Sequence, residues 1–122
     1  MEPRVKAWIV FPGGTKFGAG RAELLRRIEA TGSLQAAVAG MGMSYRAAWG
    51  YLRELETAAG FPFLERGGPG SRLTERARAF LAGYEAFHGR LDASANRAFR
   101  GAFRRTRGRA RTDAGRRRRT GS

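Results

Sequence analysis

The amino-acid sequence predicts a mainly α-helical fold with a small β component. Three observations support this class: apolar residues recur at helical spacing through most of the chain, the β-prone segments are short, and glycine or serine stands at most segment boundaries. Two short helices joined by a tight corner come first, and two extended segments around a glycine-rich tip follow them. This order is that of a winged helix-turn-helix.

The N-terminal segment is predicted to form a β-hairpin. Residues 5–11 are rich in β-branched and aromatic side chains, residues 12–14 read Pro-Gly-Gly, and residues 15–17 resume the β-prone pattern. Aromatic and β-branched runs usually serve packing, so we assign this hairpin a structural role at the edge of the domain.

Residues 21–31 are predicted to form the first helix, with Leu24, Leu25 and Ile28 facing inward. Its arginines, beginning with Arg21, are expected to lie outward. Glutamates stand at helical spacing from them, so ion pairs on a solvated helix face are the simplest interpretation.

Residues 31–60 carry the helix-turn-helix pattern. Ser33 suits the N-cap of a helix that begins at Leu34, because its hydroxyl can accept from an amide left unpaired in the first turn. The run Gly-Met-Gly-Met at residues 40–43 allows a sharp exit from this helix. Ser44 is a second N-cap, and the helix that it begins is predicted to end at Gly60.

The second helix of this pair has two contrasting faces. Its apolar residues recur at 3.6-residue spacing and are expected to face inward. The opposite face opens with Tyr45, Arg46 and Trp49 and continues through Arg53. A solvent face that begins with two aromatic side chains and an arginine is unusual. For Trp49 alone we favour packing against the hairpin or the first helix, because tryptophan is highly buried on average.

Residues 63–66 and 72–73 are predicted to be short extended segments around a Gly-Gly-Pro-Gly-Ser tip. A tip of this kind, directly after a candidate recognition helix, suits a wing that lies along a phosphate backbone, with Arg66 and Arg72 at its two feet. The alternative is an ordinary hairpin loop.

A long helix is predicted from Glu75 to about Ala95, with Thr74 as its N-cap. Its apolar residues alternate steps of four and three, which is heptad character. Part of this stripe is expected to cover the domain's own core and the rest to pair two subunits. The residues assigned to the dimer interface are Phe80, Tyr84, Phe87 and Leu91.

Two domains follow from this pattern: a folded domain over residues 1–95 and a disordered arginine-rich tail over residues 96–122. Residues 97–122 hold 11 arginines and one aspartate, so the tail carries most of the formal net charge of +14. Such arms commonly add salt-sensitive, sequence-independent affinity for nucleic acid. An extension without a role is the alternative.

Composition excludes several classes of protein. The chain has no cysteine and one histidine, so disulfides, thiol chemistry and histidine-based metal sites are not expected. No constellation of nucleophile, base and orienting group is apparent, so we predict neither an enzyme nor a cofactor. With no long apolar run and no signal-peptide pattern, we expect a cytoplasmic, nucleoid-associated protein without a membrane partner.

Several stretches together resemble a known family. They are FGAGRAELLRRIE, ATGSLQAAVAGMGMSYRAAW, FPFLERGG and RLT, of which SYRAAW is the most specific. They resemble the N-terminal winged helix-turn-helix domain of ModE-type molybdate-responsive regulators and, more distantly, LysR-type regulators, over about residues 5–92. The resemblance implies DNA binding, pairing through the long helix and a possible link to molybdate metabolism. The oxyanion-binding module of ModE-type regulators is not expected in this chain.

The function predicted is that of a homodimeric transcriptional regulator that binds double-stranded DNA. Tyr45, Arg46 and Trp49 are candidates for contact with base edges, and Arg46 can make a two-pronged contact to guanine. The residues assigned to DNA contact are Ser33, Ser44, Tyr45, Arg46, Trp49, Arg53, Arg66 and Arg72. The alternative is a non-specific DNA-packaging or RNA-binding protein that uses the basic tail.

Overall fold

The computed structural model describes residues 1–111, with side chains described for residues 1–104. Two strands and four helices occur in this range: β1 (Ile9–Val10), β2 (Lys16–Phe17), α1 (Ala19–Thr31), α2 (Leu34–Ala39), α3 (Tyr45–Ala59) and α4 (Glu75–Arg111). The chain divides into two compact units. One is Lys6–Phe87, and the other contains Met1–Val5 and the described residues from His88 onward.

The predicted fold class is confirmed: the first unit is a small helical domain with a two-stranded antiparallel sheet. The hairpin pairs Ile9 with Phe17 and Val10 with Lys16, and its strands are shorter than the β-prone run in the sequence. Its turn is closed by the amide of Phe11, which donates to the Thr15 carbonyl at 2.8 Å. The hairpin delivers Phe17 to the core, where that side chain is completely buried.

Phe17 lies at the centre of an aromatic cluster. The ring of Phe80 meets it edge-on with centroids 4.8 Å apart, and the ring of Tyr84 does so at 5.1 Å. Phe63 in turn meets Phe80 edge-on at 5.7 Å. Edge-to-face pairs at these distances stabilise beyond the area that they bury. The hairpin, the wing segment and α4 therefore share one core.

The three predicted N-caps are present. The hydroxyl oxygen of Ser33 accepts from the amide of Ala36 at 3.1 Å, and that of Ser44 accepts from the amide of Ala47 at 3.0 Å. The hydroxyl of Thr74 likewise accepts from the third amide of α4 at 3.1 Å. Each cap satisfies a donor that the first turn of a helix leaves unpaired, so these three residues determine where α2, α3 and α4 begin.

The predicted inner faces of α1, α2 and α3 are also confirmed. The fully or almost fully buried side chains of these helices include Leu24, Leu25, Ile28, Leu34, Ala37, Ala48, Leu52 and Leu55. Met41 and Met43, in the corner, are partly buried against this cluster. Helix α3 ends at Gly60, whose φ of 84° is in the left-handed region that favours glycine.

Helix α4 differs from the prediction in two ways. It continues to Arg111, so the predicted end near residue 95 is too early, and the expected disorder is wrong for residues 96–111. Arginine and alanine dominate this stretch, and both are strong helix formers, which explains the continuation. The first compact unit ends at Phe87, and the predicted division of the chain at residue 95 stays a prediction. Residues 112–122 of the predicted tail lie outside the described residues.

The second difference concerns the apolar stripe of α4. Tyr84 is only 4% exposed, and its hydroxyl donates to the Ala7 carbonyl at 3.3 Å. Phe80 also packs into the core of the first unit. Both residues were assigned to a dimer interface, and the structure uses both within the subunit. Phe87 remains 46% exposed, and Leu91 is half-buried.

Most arginines of α1 form ion pairs, as the sequence suggested. Arg27 and Arg26 both donate to the carboxylate of Glu23, at 3.0 and 3.1 Å, and hold its pKa below its ordinary value. Arg26 also donates to Glu85 on α4 at 2.6 Å, which raises the pKa of Arg26. Among the described residues, no helix is both long and apolar enough to cross a membrane.

Candidate nucleic-acid interface

The first turns of α3 form the centre of the candidate interface. Because the Ser44 cap fixes the start of the helix, Ala48 and Leu52 point into the core. The same register places Tyr45 and Trp49 on the outside, where they are 48% and 37% exposed. The sequence pattern correctly separated these two faces.

Tyr45 and Trp49 form an exposed aromatic pair. Their rings meet edge-on with centroids 6.2 Å apart, one helical turn from each other. Trp49 does not belong to the buried cluster of the first unit as the structure describes it. The interpretation that favoured packing of Trp49 against the hairpin or α1 is therefore wrong, because the inward positions of α3 are filled by smaller aliphatic residues.

Arg46 and Arg53 lie on the outer face of α3 with exposed side chains. Among the side chains of residues 1–104, neither has an ion-pair partner. Arg26, Arg27 and Arg78, in contrast, each lie within 4 Å of a glutamate carboxylate. The first unit thus neutralises these three arginines and leaves those of α3 available to an external anion.

The wing is present as predicted, between Leu64 and Leu73, which form a β-bridge. The amide of Glu65 donates to the Arg72 carbonyl at 2.8 Å and closes its base. Arg66 is exposed and has no ion-pair partner among the described side chains, whereas Arg72 lies 3.9 Å from the Glu65 carboxylate. A surface pair at that distance contributes little and can be exchanged for a phosphate.

The tip of the wing contacts the turn between α1 and α2. The Ser71 amide donates to the Gly32 carbonyl at 2.8 Å, and Gly32 has a left-handed φ of 72°. A Cβ placed on Gly70 would lie 2.5 Å from the same carbonyl oxygen. The wing is thus held against the residue that precedes Ser33, the cap of α2. This contact joins residues far apart in the chain, and no local sequence signal indicates it.

Ser33 and Ser44 were assigned to DNA contact. The structure uses both hydroxyl oxygens as helix caps, as described above, and leaves the hydroxyl hydrogens available to an acceptor. Among the assigned residues, the structure brings Tyr45, Arg46, Trp49 and Arg53 onto the outer face of one helix. Arg66 and Arg72 are at the feet of the wing, and Ser33 is at the start of α2.

Arg21 is a positioning residue that the sequence did not reveal. Its guanidinium lies over the ring of Tyr51 at 3.7 Å from the centroid and 3.7 Å from the Glu54 carboxylate. It also donates to the backbone oxygen of Lys16 in β2. One side chain at the start of α1 therefore connects the hairpin to α3, and the expectation that Arg21 lies outward is wrong.

Replacing Arg21 with alanine is expected to lower the free energy of unfolding by about 1 to 2 kcal/mol, because a cation–π contact and a hydrogen bond to the backbone are lost together. Urea unfolding followed by circular dichroism measures this change. Arg53→Ala is the matched control, since that exposed arginine has no ion-pair partner among the described side chains and its loss is expected to change stability by less than about 0.5 kcal/mol. Equal effects of the two substitutions would contradict the positioning role of Arg21.

Comparison with known proteins agrees with this architecture. Residues 20–78 match the family model of the bacterial regulatory helix-turn-helix proteins of the lysR family. The structure is similar to that of the CbnR DNA-binding domain in a complex with DNA, with a TM-score of 0.56 and 24% sequence identity over 69% of this chain and 98% of that chain. It is also similar to CbnR itself, a LysR family transcriptional regulator, with a TM-score of 0.53 and 23% identity over 67% of this chain and 29% of that one.

No curated protein matches the sequence of this chain. Residues 20–78 are thus similar to the helix-turn-helix of the lysR family, and the fold is that of a winged helix-turn-helix. The matches are to the LysR type, which the sequence resembled more distantly. They give no support to the closer resemblance expected for the ModE type.

Proposed function

We propose that this chain is a sequence-specific DNA-binding transcriptional regulator that acts as a homodimer. One observation supports this proposal above the others: Arg46 and Arg53 are exposed and without ion-pair partners among the described residues, beside an exposed aromatic pair, on the helix that follows the corner. The helix in this position of a helix-turn-helix enters the major groove with its N-terminal residues toward base edges.

In this proposal Arg46 reads guanine. An arginine presents two parallel donors that match the O6 and N7 acceptors of guanine in the major groove. The apolar parts of Tyr45 and Trp49 suit the methyl group of thymine or a base edge beside it. Arg53, two turns further along α3, contacts a phosphate and holds the helix in register.

The wing and the caps supply contacts that do not depend on sequence. Arg66 and Arg72 at the feet of the wing are placed to meet the phosphate backbone on either side of the tip. The Ser44 hydroxyl hydrogen and the amides at the start of α3 favour a phosphate, because the N-terminus of a helix carries partial positive charge. Ser33 is proposed to act in the same way through its hydroxyl.

The homodimer is proposed to form through α4. Phe87 remains 46% exposed after the core of the first unit is complete, and Leu91 is half-buried. With Phe80 and Tyr84 used within the subunit, the proposed interface begins at Phe87. A two-fold dimer reads two half-sites whose centres are about one helical turn of DNA apart, or a multiple of it. We retain the arginine-rich residues beyond 95 as an accessory region for DNA affinity.

The resemblance of the SYRAAW run to ModE-type regulators supports one finer proposal, namely that the regulated genes serve molybdate uptake or molybdoenzymes. Genome-wide occupancy of the protein measures this directly. Sites clustered at such genes are the expected result, and occupancy confined to unrelated genes would contradict the link without affecting the DNA-binding proposal.

Selection from a random DNA pool tests the main proposal. We expect the full-length protein, and a version that ends at Ala95, to enrich the same pseudo-palindromic motif. Loss of all enrichment, with binding that survives only in the full-length protein, would contradict sequence-specific recognition by α3. That outcome would favour the alternative of a non-specific DNA- or RNA-binding protein that acts through its basic C-terminal region.

A further inference from the structure

The second unit contains a row of arginines on one side of α4. Arg90, Arg97 and Arg104 are separated by steps of seven residues, and seven residues complete nearly two turns of an α-helix, so the three side chains lie on nearly the same face. All three are exposed, and Arg100 lies beside them and is also exposed. We call these four residues the arginine face.

Small residues occupy the positions between these arginines. Ala93, Ser94 and Gly101 fall on the same side of the helix, three or four residues from an arginine. No large apolar side chain stands on this side between Arg90 and Arg104. The guanidinium groups therefore extend beyond the small side chains around them, and an extended anion can approach the helix closely.

The arginine face has no internal counter-charge. The only acidic residue between positions 88 and 104 is Asp92, which is 3.3 Å from the Nδ1 atom of His88 and lies on the other side of the helix. Among the described side chains, none of the four arginines forms an ion pair. Four unneutralised charges on one face favour a partner that carries a row of negative charges.

The opposite side of the same helix segment carries its large apolar residues, beside the pair of His88 and Asp92. Leu91, Ala95 and Phe99 are half-buried, and the rings of Phe99 and Phe103 are 4.7 Å apart. Residues 88–104 thus separate an apolar side from a charged side. A second copy of the helix would cover the apolar side in the proposed homodimer, and the arginine face would remain outward.

We propose that the arginine face binds the phosphate backbone of duplex DNA without reading its sequence. The row from Arg90 to Arg104 is about 21 Å long, at 1.5 Å per residue. A duplex of that length carries about 12 phosphates. The planar guanidinium makes two parallel hydrogen bonds to a phosphate, and this geometry favours arginine at such contacts. This binding does not depend on base reading by α3.

DNA fits the arginine face better than an anionic membrane does. A helix that lies on a membrane presents its cationic residues on one face and buries the opposite, apolar face in the bilayer. In the proposed homodimer a second copy covers the apolar side with Leu91 and Phe99, so only the arginine face remains outward, and this choice of partner rests on that proposal. A hydrated surface of phosphates at fixed spacing needs no apolar insertion and matches this pattern.

The test uses the full-length protein and a random-sequence duplex. The affinity is measured between about 50 and 300 mM salt, because affinity that depends on phosphate contacts falls steeply over roughly this range. Replacing Arg90, Arg97 and Arg104 together with glutamine preserves helix propensity and removes three charges. The slope of log affinity against log salt is expected to fall by about 2.7, at about 0.9 for each lost phosphate contact. The corresponding triple lysine variant is expected to keep the slope.

A second triple variant separates the arginine face from net charge. Replacing Arg117, Arg118 and Arg119 with glutamine removes the same charge. The salt slope of this variant is expected to fall by less than that of the triple variant in the arginine face. An unchanged slope in the face variant, or an equal fall in both, would overturn the proposal. The proposal would also be overturned if the variant in the arginine face lost binding to vesicles of phosphatidylserine and phosphatidylcholine while its salt slope for DNA stayed unchanged. Single variants, such as Arg97→Gln, each with an expected fall of about 0.9, keep the test valid if the triple variant unfolds.

The two DNA proposals fail differently. If the arginine face does not bind DNA, its variants keep both the salt slope and the preference for a selected operator. If α3 does not read bases, the unmodified protein shows no operator preference, and the face variants still change the salt slope.

Discussion

Replacing Arg46 with alanine is expected to reduce the affinity for a selected operator by about 5- to 150-fold per half-site, which corresponds to about 1 to 3 kcal/mol for a lost two-pronged contact to guanine. Binding to a scrambled duplex is expected to fall much less, because only one charge is removed. Arg46 has no ion-pair partner among the described residues, so its loss leaves no glutamate unpaired and the fold is expected to be unaffected. Competition titrations with the two duplexes measure the ratio.

Two variants serve as controls for this substitution. Arg46→Lys keeps the charge and loses the planar pair of donors, so operator preference is expected to fall while the salt slope is retained. Arg53→Ala is expected to weaken operator and scrambled duplex alike and to lower the salt slope by about 1. Equal losses on both duplexes with Arg46→Ala would mean that Arg46 contacts phosphate and not a base.

Replacing Gly70 with alanine is expected to lower the free energy of unfolding by about 2 to 3 kcal/mol and to weaken DNA binding. Gly70 has a φ of 78°, where a Cβ costs about 1 to 2 kcal/mol. That Cβ would also lie 2.5 Å from the Gly32 carbonyl oxygen, so the tip must move and the bond from the Ser71 amide is lost, at a further cost of about 1 kcal/mol. Urea unfolding and DNA titration measure the two effects.

Gly68→Ala is the matched control for Gly70. Gly68 has a nearly identical φ of 76°, and a Cβ there would have no neighbour within 4 Å. Gly68→Ala is therefore expected to lower the free energy of unfolding only by the cost of the backbone conformation, about 1 to 2 kcal/mol. If both substitutions had the same effect on stability and on DNA affinity, the contact between the wing and the turn would not position the wing.

The features that the sequence predicted well are those determined by nearby residues. Ser33, Ser44 and Thr74 were predicted as caps because a cap joins a side chain to an amide only three residues away, and the structure shows all three bonds. The two faces of α3 follow from the helical period in the same way. Local rules therefore predicted both the start of α3 and the residues on its outer side.

The features that the sequence did not reveal depend on residues far apart in the chain. Arg21 contacts Tyr51, and Gly32 accepts from Ser71, through side chains and backbone that meet only after folding. Tyr84 was predicted to lie in a dimer interface. Its contact with the ring of Phe17 buries it within the subunit, and the apolar period of α4 does not indicate that contact. The end of α4 was missed because the prediction weighed apolar periodicity above the helix propensity of arginine and alanine.

The bond from the Tyr84 hydroxyl to the Ala7 carbonyl joins two residues that lie close to opposite ends of the first unit. The polypeptide of this unit therefore begins and ends at neighbouring points. Domains with adjacent termini tolerate circular permutation and insertion into a loop of another protein. A permuted unit whose original ends are joined by a short glycine linker, with new ends in the exposed tip of the hairpin, is expected to fold. The exposed surface of α3 in such a unit is then expected to be transferable into a loop of another protein.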